Sequence, residues 1–164
     1  MRQTRRERSG RVCRLWEPCA EEKSEGIAAG DPGRKMKPMI DAEEFRTIVS
    51  ELLDELPEAF FRELNGGVIV SDAVVIPDYA RGPDLYTMGH YQIASGIRQI
   101  VVFKGSFDRV YPRADAEKAR ELLRGVLRHE FRHHLESLGG VHNSSSLEAE
   151  DERGKQAYLA AHDK

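Results

Sequence analysis

No proline interrupts the chain from Ala116 to Leu138, and this run is dense in Ala, Glu, Leu, Arg and Lys. These residues lose least on entering a helix. Asp115 stands at the N-cap position and Gly139-Gly140 at the C′ end. The sequence therefore predicts one long helix, and the fold must be organised around it. Ala119, Leu122, Leu123 and Val126 recur at helical spacing, and their stripe runs on into His129, Glu130 and His133. Leu127, Phe131, Leu135 and Leu138 form a second apolar row, so the helix should be covered on more than one side.

The polar residues that interrupt the buried stripe form a motif, His129-Glu130-Phe131-Arg132-His133, an HExxH. Positions i and i+4 lie one turn apart on the same helix face, so the two imidazoles can grip one metal ion. The Glu next to the first His then lies beside the metal's open coordination position, where it can take a proton from water. A solvated His pair would be expected to continue the polar face instead. Adjacent His134 points about 100° away from His133 and reads as a packing or supporting residue.

A catalytic zinc usually keeps three protein ligands. After Gly140, the polar stretch Val141 to Ser146 reads as a loop, and Leu147 opens a second helical segment. Its weak apolar stripe is Leu147, Gly154, Tyr158 and Ala161, and Asp151 falls inside it. A carboxylate on a buried face is costly unless it is paired or binds a metal. Asp151 is therefore the first candidate for third ligand, with Glu148, one turn earlier, and Glu150 as alternatives. His142 and His162 read as loop and tail residues.

Upstream, Asp41 and Glu44 form a candidate capping box, and Phe45, Ile48, Val49, Leu52, Leu53 and Leu56 mark a helix. Pro57 suits the first turn of a short helix that Asn65-Gly66-Gly67 would end. Val68 to Ile76 reads as a strand broken at Ser71-Asp72 and stopped by Pro77. Thr87 to Ile93 and Gln99 to Lys104 are further strands joined through Ala94-Ser95-Gly96, and Gly105 to Tyr111 reads as one helical turn. The expected class is α+β, with a small, mainly antiparallel or mixed sheet backed by the His-bearing helix. His90 and Tyr91 fall mid-strand. Either could hold a transition-state oxyanion, but the simpler reading is ordinary strand residues with polar tips at the surface.

Several of these pieces, in this order, resemble the small bacterial zincin-like proteins called minimal metalloproteases. They are the helix ending in Glu55-Leu56-Pro57, a hydrophobic strand, Met88-Gly89-His90-Tyr91-Gln92, the strand Gln99 to Phe103, and the helix bearing HEFRHH with its doubled His133-His134. The similarity runs from about Phe45 to Asp151. The family's motif is close to HExxHHxGxxD followed by Glu-Arg. Here Glu136 stands at the glycine position and Gly139 at the aspartate position, while Asp151-Glu152-Arg153 comes later, as though a loop were inserted. The resemblance implies a zincin-like fold, Zn2+ held by His129, His133 and Asp151, and Glu130 as general base. It also implies a peptide or protein substrate. Family members look like peptidases cut down to their metal-bearing half. A zinc-binding interaction domain without catalysis, or a scaffold with a vestigial motif, therefore stands beside the metallopeptidase reading.

Composition narrows the remaining choices. The net charge is −3, and no apolar run is long enough to span a membrane. The two cysteines, Cys13 and Cys19, both lie near the N-terminus, which fits a reducing cytoplasm. Residues 1–38 carry an excess of Lys and Arg, scattered Gly and Pro, and no apolar period. They are expected to be a disordered N-terminal extension, with translation starting at Met36 or Met39, ahead of a domain over residues 39–164. Neither a nucleic-acid partner nor a membrane is expected, and the oligomeric state stays open.

Overall fold

The computed structural model describes residues 38–163. The expectations for the N-terminal extension, its cysteines and the start at Met36 lie outside the described residues. The domain is α+β, and its order is α1 (Ala42–Asp54), a 3-10 turn (Glu58–Phe61), β1 (Gly67–Ser71), β2 (Gly89–Ala94), β3 (Ile97–Phe103), α2 (Lys104–Val110), α3 (Ala116–Gly139) and α4 (Leu147–His162). Among the described residues no helix is long and apolar enough to cross a membrane.

The helix signals act as the residues dictate. The Asp41 carboxylate accepts from the amides of Glu43 and Glu44, both at 2.9 Å, and starts α1. Asp115 does the same for α3, accepting from Lys118 N at 2.8 Å. Gly140 closes α3 in the left-handed region, at φ 66°, and the amide of Val141 reaches back to the Glu136 carbonyl at 2.9 Å. This is the Schellman arrangement that glycine makes cheap.

The sheet has three strands in the order β1-β3-β2, with β1 parallel and β2 antiparallel to β3, so it is mixed. The β2–β3 hairpin turns on Ser95 (φ 51°) and Gly96 (φ 80°), between the paired residues Ala94 and Ile97. Two successive positive φ values in a two-residue loop match the strands' right-handed twist. This turn fixes the hairpin register, in which Tyr91 faces Ile100 and His90 faces Val101. Phe45, Ile48, Val49 and Leu52 of α1 and Ala119, Leu123, Val126, Leu127 and Phe131 of α3 close over Tyr91, Ile100 and Val102 to form the core.

β1 ends at Ser71, where the sequence marks a break, and the apolar residues from Ala73 to Ile76 form no further strand. Ser71 pairs with Phe103, and β3 ends there because α2 begins at Lys104. Residues beyond Ser71 have no ladder to join. Instead the Val75 amide donates to Ser106 Oγ at 2.9 Å, and Val74 and Ile76 are left exposed. Gly105 permits this path, since a Cβ there would lie 2.3 Å from the Asp72 carbonyl oxygen. The segment from Lys104 is a seven-residue helix, Lys104–Val110, shifted by one residue from the expected Gly105 to Tyr111. Lys104, read from sequence as a strand end, is its first residue and pairs with Asp108 at 2.6 Å.

Candidate metal centre

α3 presents His129 and His133 on one face, with ring centroids 5.0 Å apart. α4 brings Asp151 to them. The Asp151 Oδ2 atom lies 2.9 Å from His133 Nε2 and 3.4 Å from His129 Nε2. One ligand atom from each of the three residues lies within 4.8 Å of the others. Ligand atoms about 2.0–2.1 Å from a tetrahedral zinc sit roughly 3.3 Å from one another. The spacing and the donor chemistry, two imidazole nitrogens and a carboxylate oxygen, therefore fit a zinc-like cation. The alternatives for third ligand point elsewhere. Glu148 is exposed and lies 4.0 Å from His142, and Glu150 pairs with Arg132 at 2.8 Å.

The electrostatics follow from this packing. Burial works against charge on the His129 ring, but the hydrogen bond and negative charge of Asp151 outweigh it and hold its pKa above the ordinary value of 6.5. Burial likewise works against ionised Asp151, yet hydrogen bonds from His129 and His133 outweigh it and hold the carboxyl below its ordinary 3.8. The raised His129 value contributes stability below pH 6.5 that is lost as pH rises through the folded value. The lowered Asp151 value contributes stability above pH 3.8 that is lost as pH falls through the folded value. In chelator-treated protein both contributions coexist between those limits. The melting-temperature gap between the parent and Asp151→Asn should therefore be widest near about pH 5 and shrink toward about pH 8. A gap that stays constant with pH would contradict this coupling.

Glu130 is wholly buried beneath β2. Its Oε2 accepts the Tyr91 amide at 2.8 Å. Gly89, at the start of the same strand, makes room for it. A Cβ at Gly89 would lie 2.8 Å from Glu130 Oε1 and 2.8 Å from Val126 Cγ1, both too close. Gly89→Ala must shift either the carboxylate or the strand, at an expected cost of about 1–3 kcal/mol. A thermal melt would measure it, and an unchanged melting temperature would show that the strand yields freely.

Tyr91 corrects the surface-strand expectation. It is 1% exposed, and its hydroxyl accepts from Arg98 Nη1 at 2.9 Å. The same guanidinium nitrogen donates to Ser137 Oγ at 3.0 Å. His134 is also buried. Its Nε2 lies 2.9 Å from the Arg62 carbonyl, which can only accept, so Nε2 carries the proton. Nδ1 is then left to accept from the Tyr91 hydroxyl at 3.2 Å. Burial first, and the Arg98 charge with it, keeps the His134 pKa below its usual value, in keeping with that neutral tautomer. Thus Tyr91 holds Glu130 through its backbone, while its own side chain is held by Arg98 of β3 and by His134 of α3, which is in turn anchored on the Arg62 carbonyl. Its partner on the strand, His90, is only partly buried. Burial, and then the charge of His133, lower its pKa.

His162 is more than a tail residue. Its ring stacks on Tyr158 with centroids 4.1 Å apart, and its Nε2 lies 2.9 Å from Asp84 Oδ2. The Tyr158 hydroxyl donates to Asp84 Oδ1 at 3.0 Å and accepts the Arg81 amide at 2.9 Å. These contacts fasten α4 to the long connection between β1 and β2. No heptad or strand period announces them, because they join residues more than seventy positions apart.

No protein-family model matches the chain, and no curated protein matches it. Among solved structures it is similar to a conserved hypothetical protein from Thermo thermophilus. The two are 28% identical, with a TM-score of 0.52, over 62% of this chain and 100% of the other. That protein's description names no activity, so the likeness speaks for a shared α+β arrangement.

Proposed function

We propose that the protein is a zincin-like, zinc-dependent hydrolase acting on an amide or peptide bond. The observation that carries this reading is the meeting of His129, His133 and Asp151 at one point, with Glu130 on the same helix turn. These three residues would hold the ion. When bound, zinc would supply Lewis acidity that acidifies water and polarises a carbonyl.

The remaining work falls to this chain's own groups. Glu130 would take a proton from the attacking water at a carboxylate oxygen and pass it to the leaving amine. The Tyr91 amide, bonded to Oε2, and the space over Gly89 orient that carboxylate for the transfer. Exclusion of solvent around Glu130 strengthens each of these electrostatic contacts.

One observation favours a second reading, a zinc-binding interaction domain without catalysis. Glu130 has 0% exposure, so a substrate's water must be admitted beneath β2 before the carboxylate can act. The two readings separate in one experiment. Zinc content is measured on chelator-free protein, and hydrolysis is followed across a broad peptide library. Zinc near one per chain with cleavage supports the hydrolase. Zinc without any cleavage supports the binding domain, and no restorable zinc defeats both.

A further inference from the structure

The third ligand is delivered by a helix with little apolar hold of its own. Among the described residues α4 buries only Leu147 and Tyr158, and Asp151 lies between them. Polar contacts hold α4 at both ends: Tyr158 and His162 meet Asp84 near its C-terminus, and the contacts at its N-terminal end, nearer Asp151, converge on Glu136, the residue that departs from the glycine of the resembling family. Glu136 Oε2 accepts the Leu147 amide at 2.8 Å, and its Oε1 accepts Arg132 Nε at 2.9 Å. The other side of the Arg132 guanidinium grips Glu150 with both terminal nitrogens, at 2.8 and 3.2 Å. It also donates to the Ser145 carbonyl at 3.3 Å. The loop, the first helical residue and the first turn of α4 are thereby each tied to α3.

We propose that Glu136 is a positioning residue for the metal. Through Arg132 and the Leu147 amide it sets the rotation of α4 that lays Asp151 over His129 and His133. This inference rests on the zinc reading above. Isolated surface ion pairs contribute little to stability, but a forked pair combined with a backbone cap fixes direction as well as distance. Glu150 precedes Asp151, so seating one side chain fixes the angle at which the next leaves the helix. The long loop from Gly140 to Ser146 leaves that angle unset by chain connectivity alone. Groups that orient a ligand in this way, without touching the ion, typically change metal affinity by about 10–100-fold when removed.

The test is a zinc titration of the full chain against a chromophoric chelator. It uses the parent, Glu136→Ala, Arg132→Ala and Asp151→Ala, together with the double variant Glu136→Ala/Asp151→Ala. Glu136→Ala and Arg132→Ala should each weaken zinc by about 10–100-fold. In the Asp151→Ala background, Glu136→Ala should cause no further loss, because it acts only through Asp151. Should Glu136→Ala fail to fold, Glu150→Gln changes only the exposed outer leg and should still weaken zinc several-fold. Variants that bind within about twofold of the parent, or an equal further loss without Asp151, would overturn the positioning role while leaving the metal site standing. A parent chain that does not bind zinc would overturn the metal reading and this inference together.

Discussion

Replacement of Glu130 by glutamine is expected to leave zinc and fold in place and to lower hydrolysis by about 10²–10⁴-fold. Glutamine keeps the length of the side chain and one carbonyl oxygen. That oxygen can still accept the Tyr91 amide, which now bonds Glu130 Oε2 at 2.8 Å. The position opposite Gly89 is tight, so a larger or shorter side chain would confuse a chemical effect with repacking. What glutamine cannot do is accept a proton from water near neutral pH. Turnover of a cleaved peptide, with zinc content and melting temperature as controls, separates these effects. Equal turnover in variant and parent would remove Glu130 from the mechanism.

The adjacent histidines should behave in opposite ways. His133→Ala is expected to lose zinc, because its Nε2 lies beside Asp151 and faces the point shared with His129. At zinc concentrations about a thousandfold above Kd, binding stabilises the parent by about 4 kcal/mol, or on the order of 10 °C in a domain of this size. The His133→Ala variant should show none of that rise. His134→Ala should retain most of its zinc but melt lower even in chelator. It leaves the Arg62 carbonyl and the Tyr91 hydroxyl without their buried partner, which costs about 1–3 kcal/mol per group. Equal zinc affinity in the two variants would show that the helix presents its histidines differently.

The helices were legible because their signals are local. Asp41, Asp115 and Gly140 act within four residues of where they stand, and the period of α3 continues through His129, Glu130 and His133 within one element. Asp151 was legible for a related reason, since a carboxylate stood out on the weak apolar stripe of α4. The break at Ser71-Asp72 was legible, and β1 ends there; that no strand resumes before Pro77 was not, because it depends on where β3 runs out some thirty residues later. Tyr91 was misread because alternation along a strand does not say which face a helix will cover. Its burial follows from α3 lying on the Ile100 and Val102 side of the sheet. Glu136 looked like a mere departure from a motif, and its purpose becomes visible only once α4 is in place.

β2 lies at one border of the sheet, and borders of this kind invite strands from other molecules to add on. Here the outward amide at the middle of that border, Tyr91 N, is already bonded to a side chain from the helix beneath. A foreign strand approaching along β2 meets an engaged donor, and it can dock in register only by displacing a buried carboxylate. The contact that steadies Glu130 therefore also guards the molecule against chain-to-chain pairing. Loosening it should be felt first as a tendency to self-associate at high concentration.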